Sequence, residues 1–198
     1  MEIHDALKFA GGLLALVLFV PLLVDVYRRG GAGQSFATWI LWAALDTILA
    51  TSIYLQRGNF LIVLGFAIGG CLMALLLLWK RRARWGRFET GVLLLVLGCL
   101  AAWKYSGPRG AIVAATGGIC LAGVPGLVTL WKNPDRHVAK IWAGYALANA
   151  AAFFGGTAMT LEERFAPGAF VIYSLLLVAA GWRKNRHENV TCELKKTD

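Results

Sequence analysis

Trp39-Ile40-Leu41-Trp42-Ala43-Ala44-Leu45-Asp46 returns about a hundred residues later as Trp142-Ala143-Gly144-Tyr145-Ala146-Leu147-Ala148-Asn149. On a helix, positions i, i+3 and i+7 share one face. Each copy therefore lines up two aromatic rings and one polar side chain in a single stripe. Both stripes lie in strongly apolar surroundings, where an Asp or Asn is costly unless it meets a cavity or a partner. Two such stripes predict two walls of a solute-binding cavity at membrane depth.

Composition sets the solvent. Apolar residues make up 58% of the 198, above the ~45–50% of ordinary soluble domains, and the mean hydropathy is +0.62. A transmembrane helix needs about 20 mostly apolar residues. Seven stretches approach that length: 8–27, 34–56, 60–79, 89–106, 110–131, 138–160 and 165–182. The connections between them are short, leaving no room for a soluble catalytic domain. The start, Met1-Glu2-Ile3-His4-Asp5, lacks the basic opening of a signal peptide, so the first apolar segment is expected to be retained.

The net charge of +9 is a matter of topology and predicts no nucleic-acid partner. With the N-terminus outside, fifteen of the 20 Lys and Arg fall in the inner connections and tail, and five (Lys8, Arg57, Lys104, Arg109, Arg164) fall outside. That asymmetry is the positive-inside pattern of a seven-helix, N-out and C-in protein. The cluster from Lys80 to Arg87 is also suited to anionic lipid headgroups. Cys71, Cys99, Cys120 and Cys192 are scattered without metal or redox spacing, and no cofactor or metal is expected.

The repeat extends beyond its central motif. Val20-Pro21-x-Leu23-Val24 recurs as Val124-Pro125-x-Leu127-Val128, each followed by an aromatic residue, Tyr27 or Trp131. Farther on, Gly65 aligns with Gly168 and Trp79-Lys80 with Trp182-Arg183. One unit is thus three helices, with 8–79 matching 110–182, and internal repetition outranks any single residue in deciding architecture. Three is an odd number, so a directly joined second unit would enter the membrane upside down. The plain segment 89–106 restores its orientation. The sequence therefore predicts an all-α polytopic membrane protein of 3+1+3 plan, built from two parallel repeats. Its parts are a first bundle (1–82), a basic loop and linker helix (83–108), a second bundle (109–185) and an inner tail (186–198).

The late proline in the first helix of each unit (Pro21, Pro125), the short basic loop and the aromatic second helix resemble the superfamily of SWEET sugar transporters, PQ-loop proteins and PnuC-type vitamin transporters. The string from Trp39 to Asp46, followed by Ile53-Tyr54-Leu55-Gln56, is most similar to the W-x-x-W-x-x-x-N helix of the PnuC type. This chain has Asp46 where that pattern has Asn, and Leu22 and Gly126 follow the prolines where a PQ loop has Gln. The resemblance implies a membrane transporter fold and a small polar solute, vitamin-, nucleoside- or sugar-like.

The residues supply their own expectations. Asp46 and Asn149 fall near the middle of their segments, at the depth where repeat-built transporters hold substrate. An Asp there costs about 2.5–3.5 kcal/mol on insertion scales. It therefore needs water, a proton, a cationic solute, or a hydrogen bond to Asn149 or Thr47. Trp39, Trp42, Trp142 and Tyr145 are expected as stacking walls for a planar ligand or a cation. Pro21 and Pro125 interrupt the helical hydrogen-bond ladder at matching places and are expected to act as hinges.

The expected function is solute transport by alternating access between two three-helix bundles. The alternative is a receptor or sorting protein on the same scaffold, binding a ligand or partner without moving a solute. An enzyme is not expected, because Asp25, Asp46 and, at the very edge of its segment, Glu89 are the only acids within the apolar segments and no nucleophile–base pair is visible. The expected setting is a bacterial inner membrane, as a single chain or a homo-oligomer.

Overall fold

The computed structural model describes residues 2–29, 36–80 and 86–183. Among them the fold is entirely helical, as a chain without water to satisfy its backbone requires. The helices are α1 (Ile3–Val17), α2 (Phe19–Arg29), α3 (Phe36–Leu55), α4 (Leu61–Trp79), α5 (Arg87–Lys132), α6 (Arg136–Gly155) and α7 (Ala166–Trp182), the last preceded by one π-helical turn, Leu161–Phe165. Five runs are long and apolar enough to cross a membrane: Ile3–Arg28, Phe36–Leu55, Leu61–Trp79, Arg87–Lys132 and Leu161–Trp182. The protein is thus of integral membrane type.

Three elements differ in outline from the seven predicted stretches. The first is divided, with the break between α1 and α2 at Leu18. Pro21 sits in the opening turn of α2, where a missing N–H costs nothing. Pro125, by contrast, lies inside α5, and the non-helical backbone of that helix is at Gly107. The expected hinges are therefore one proline just past a break and one within a continuous helical run.

The second difference is α5 itself, which covers two predicted stretches in 46 residues. Straight, it would reach ~69 Å, more than twice the ~30 Å of a bilayer core. It does not run straight. Gly107, at φ 69° and ψ −170°, breaks it, and Pro108 follows. A Cβ on Gly118 would lie 3.6 Å from the Cys99 sulfur, so 87–106 and 108–132 run back along one another.

The third is α6, as long as α3 but less apolar than the five runs that are apolar enough to cross a membrane. Lys140 and Asn149 interrupt its alanine-rich sequence. Apolar burial comes from its neighbours, since α6 packs between α1 and α7.

Packing follows small residues. Gly11 and Gly12 of α1 face two different helices. A Cβ at Gly11 would stand 2.8 Å from the Ala148 carbonyl oxygen of α6, and one at Gly12 would stand 3.0 Å from that of Leu61 in α4. Helix α1 is therefore wedged, backbone against backbone, between them. On the other side α3 packs on α4 and α5, and α5 also touches α7. One core joins them, with Leu45, Leu49 and Ile53 of α3 against Ile62, Val96, Ile112 and Ala152.

At the end where the predicted inner loops emerge, two cation–π contacts occupy matching places. The Lys80 ammonium lies 4.5 Å from the Tyr27 ring centroid, and the Arg183 guanidinium 4.4 Å from that of Trp131. Arg183 also donates to the Trp131 carbonyl at 2.7 Å. Arg81, Arg82, Arg84 and Trp85 of the lipid-headgroup cluster, and the tail 186–198, lie outside the described residues.

Gly11→Val is expected to destabilise the fold by about 1–3 kcal/mol, because the added methyls have no space between two backbones. The check is the unfolding temperature of detergent-solubilised protein. Gly91→Ala, where a Cβ meets nothing within 4 Å, is expected to leave stability unchanged or raise it by at most about 1 kcal/mol.

Candidate functional site

Helix α3 carries Trp39, Trp42 and Asp46 on one face, and α6 carries Trp142, Tyr145 and Asn149. All six border a single cavity of about 340 Å³, inside the ~300–1,000 Å³ range of small-molecule sites. The two stripes are joined through rings of other helices. Trp42 meets Trp39 edge-on at 5.6 Å, Trp39 meets Phe19 at 6.0 Å, and Phe19 meets Tyr145 at 5.9 Å. Tyr145 then touches Trp142 at 5.4 Å and Phe66 at 5.6 Å.

The polar groups are arranged unusually for an apolar interior. Asn149 is 1% exposed, and its amide nitrogen donates to the Tyr145 carbonyl of its own helix at 2.8 Å. Among the described residues its Oδ1 has no hydrogen-bond partner, and neither has the Trp42 indole nitrogen or the Tyr145 hydroxyl. Asp46 is 7% exposed. Thr47 gives its hydroxyl to the Ala43 carbonyl at 2.7 Å. The two groups expected to hold Asp46 are thus directed to their own helix backbones. A buried polar group without a partner typically costs ~1–3 kcal/mol. Three such atoms on residues that border one cavity with a carboxylate mark a space prepared for something polar.

Several wall residues carried no clear signal in the sequence. Phe19 comes from the first turn of α2, Phe66 from α4, and Phe170, Tyr173 and Ser174 from α7. Gly69 and Gly123 were readable only as small residues. In the structure a Cβ at Gly69 would fall inside the Phe19 ring, and Gly123 leaves room for the Tyr173 hydroxyl, which donates to its carbonyl at 3.0 Å. The glycines reveal that something large arrives there, but not which ring it is.

The cavity is one-sided. Along α3 its border runs from Thr38 to Asp46, and along α6 from Val138 to Asn149. Toward the other end of both helices the bundle is shut. There Asn59, 2% exposed, donates its side-chain amide to the Ala152 carbonyl at 2.8 Å and its backbone N–H to the Glu162 carbonyl at 3.0 Å. Glu162 and Glu163, both buried, stand on the π-helical turn. Arg109 pairs with Glu162 at 2.6 Å and Lys8 with Glu163 at 3.1 Å. Charge counting placed Lys8 and Arg109 on the outer side without finding these partners, because two acids in a loop have no periodicity to betray them.

No family model, curated protein or solved structure matches the chain.

Asn59→Ala is expected to cost about 1–3 kcal/mol, since it strands a buried carbonyl acceptor at the closed end. Thermal unfolding in detergent, with helical content unchanged at low temperature, would register it. An unfolding temperature equal to wild type would mean that the Asn59 contacts do not hold this end.

Proposed function

We propose that the protein is a membrane transporter of a small polar solute, working by alternating access between two three-helix bundles. The observation that carries this reading is the single cavity bordered by both stripes, with Asp46 and Asn149 at its deep end and unpartnered polar atoms beside them. A static bundle gains nothing from leaving buried hydrogen-bond groups unpaired, whereas a solute site uses them when occupied.

The finer architecture belongs to the same proposal. Seven spans in a 3+1+3 arrangement follow if α1 with α2 forms one span and the two halves of α5 form two. The first bundle is then α1 to α4, the linker is 87–106, and the second bundle runs from 108 to Trp182. The pairing of helices supports it. Contact between α1 and α6 has its counterpart between α5 and α3, and contact of α3 with α4 has its counterpart between α6 and α7. The cation–π pairs Lys80–Tyr27 and Arg183–Trp131 occupy corresponding positions of the two units. The N-out, C-in orientation rests on the basic inner loops. It places the open end of the cavity inside and the Glu162–Glu163 end outside.

In this scheme Trp39, Trp42, Trp142 and Tyr145 stack on the solute while Asp46 and Asn149 bind its polar groups. Movement at the Leu18 break beside Pro21, and around Pro125, lets one bundle rock against the other. The resemblance to SWEET, PQ-loop and PnuC-type proteins points to the same class of activity.

Proteoliposomes carrying the purified protein are expected to take up a labelled solute from a panel of vitamins, nucleosides, sugars and amino acids. Asp46→Ala and Asn149→Ala, if folded as judged by circular dichroism and gel filtration, are expected to lower uptake about tenfold or more. Unchanged uptake in both would remove the proposed site. Binding of a solute without uptake would favour the receptor or sorting reading.

A further inference from the structure

On the reading of this cavity as a solute site, we infer that the solute is an organic cation, a protonated or quaternary nitrogen on a small flat or compact apolar body, held with the nitrogen at Asp46. The charge inventory leads there. Asp46 is the only charged side chain bordering the cavity, and no Lys, Arg or His borders it among the described residues. Four basic groups elsewhere have partners of their own: Lys8 with Glu163, Arg109 with Glu162, Lys80 over Tyr27, Arg183 over Trp131. Among the described residues the cavity wall therefore brings no cation to a carboxylate that is more than nine-tenths buried.

The rest of the wall fits an organic cation better than the alternatives. Four indole or phenol rings, those of Trp39, Trp42, Trp142 and Tyr145, stand within two turns of Asp46 on the two stripes. Aromatic faces attract a weakly hydrated cation, most strongly when water is excluded. The unpartnered Asn149 Oδ1 is an acceptor, suited to an ammonium N–H, while the Trp42 N–H and Tyr145 hydroxyl remain for one further polar group. A small metal ion needs a shell of about six oxygens, more than one carboxylate and one amide oxygen supply beside rings. A sugar would bring more hydroxyls than the few free partners here can satisfy, and each one left unmet weakens binding. An anion would face Asp46 with nothing to offset it.

The test is binding at neutral pH, by calorimetry on detergent-solubilised protein, of probes that differ in charge and little in shape. One series is tyramine, its neutral alcohol tyrosol and the anion 4-hydroxyphenylacetate. The other is choline and its uncharged isostere 3,3-dimethylbutanol. The cation of each series is expected to bind about tenfold or more tightly than its neutral partner. Asp46→Asn is expected to erase that preference while neutral binding persists, and Asp46→Glu to keep it. The wild-type comparison decides without any variant, should the substitutions fail to fold. Equal binding of cation and neutral, unaltered in Asp46→Asn, would overturn the cation inference and leave the solute site standing. Binding of none of the five probes, together with no binding in the panel of neutral solutes, would overturn both.

Discussion

The close seating of α1 on two neighbours at once is the contact on which the remaining geometry depends. Gly11 and Gly12 are adjacent in sequence, so their missing side chains open on different faces of the helix. One face admits the backbone of α6 at Ala148 and the other that of α4 at Leu61. Ala148 is next to Asn149. Drawing α6 in at that level turns its aromatic and amide stripe toward α3. Without that approach Trp142, Tyr145 and Asn149 would not border the same space as Trp39, Trp42 and Asp46. In a bilayer such close contact is also where helix association gains its dispersion energy, because lipid tails are as apolar as the side chains they replace.

The two ends of the bundle differ in how their acidic groups are held. At the Glu162 end the carboxylates pair with Lys8 and Arg109 and the Asn59 amide with the Ala152 carbonyl, although Asn59 Oδ1, His4 Nδ1 and Arg164 Nε have no partner among the described residues. That end is tied across α1, α5, α6 and the π-helical turn. Around Asp46 no basic side chain borders the cavity among the described residues, and the buried carboxylate stands without an ion pair beside aromatic rings. Buried groups with partners rigidify, whereas groups without them carry a cost that only an occupant removes. The difference separates the part that holds the bundle together from the part that is free to bind.

Periodicity and composition made much of the protein legible. The apolar stretches predicted helices at nearly all the observed places, and the repeat singled out two stripes that border one cavity. Less was legible where the backbone departs from regularity. The break at Leu18 leaves no mark that distinguishes it from its apolar neighbours, and Pro21, the visible marker, sits three residues later. The turn at Gly107-Pro108 was readable as a loop, but not how closely Cys99 would return to Gly118. The rings from Phe19, Phe66 and Phe170 were indistinguishable from ordinary membrane-facing or core phenylalanines.

The sequence by itself determined that the chain is apolar and helical, that its halves repeat, and that an Asp and an Asn share helix faces with paired aromatic residues. These are consequences of local geometry: 3.6 residues per turn decides which side chains share a face, and hydropathy decides the solvent. Tertiary structure alone decided which faces meet. It brought Asp46 into the same cavity as Asn149 while directing Asn149 and Thr47 to their own helices, and it sent Glu162 and Glu163 to Arg109 and Lys8. Hydrogen bonds and ion pairs act over a few ångströms between residues dozens of positions apart, a proximity that no periodicity along the chain encodes.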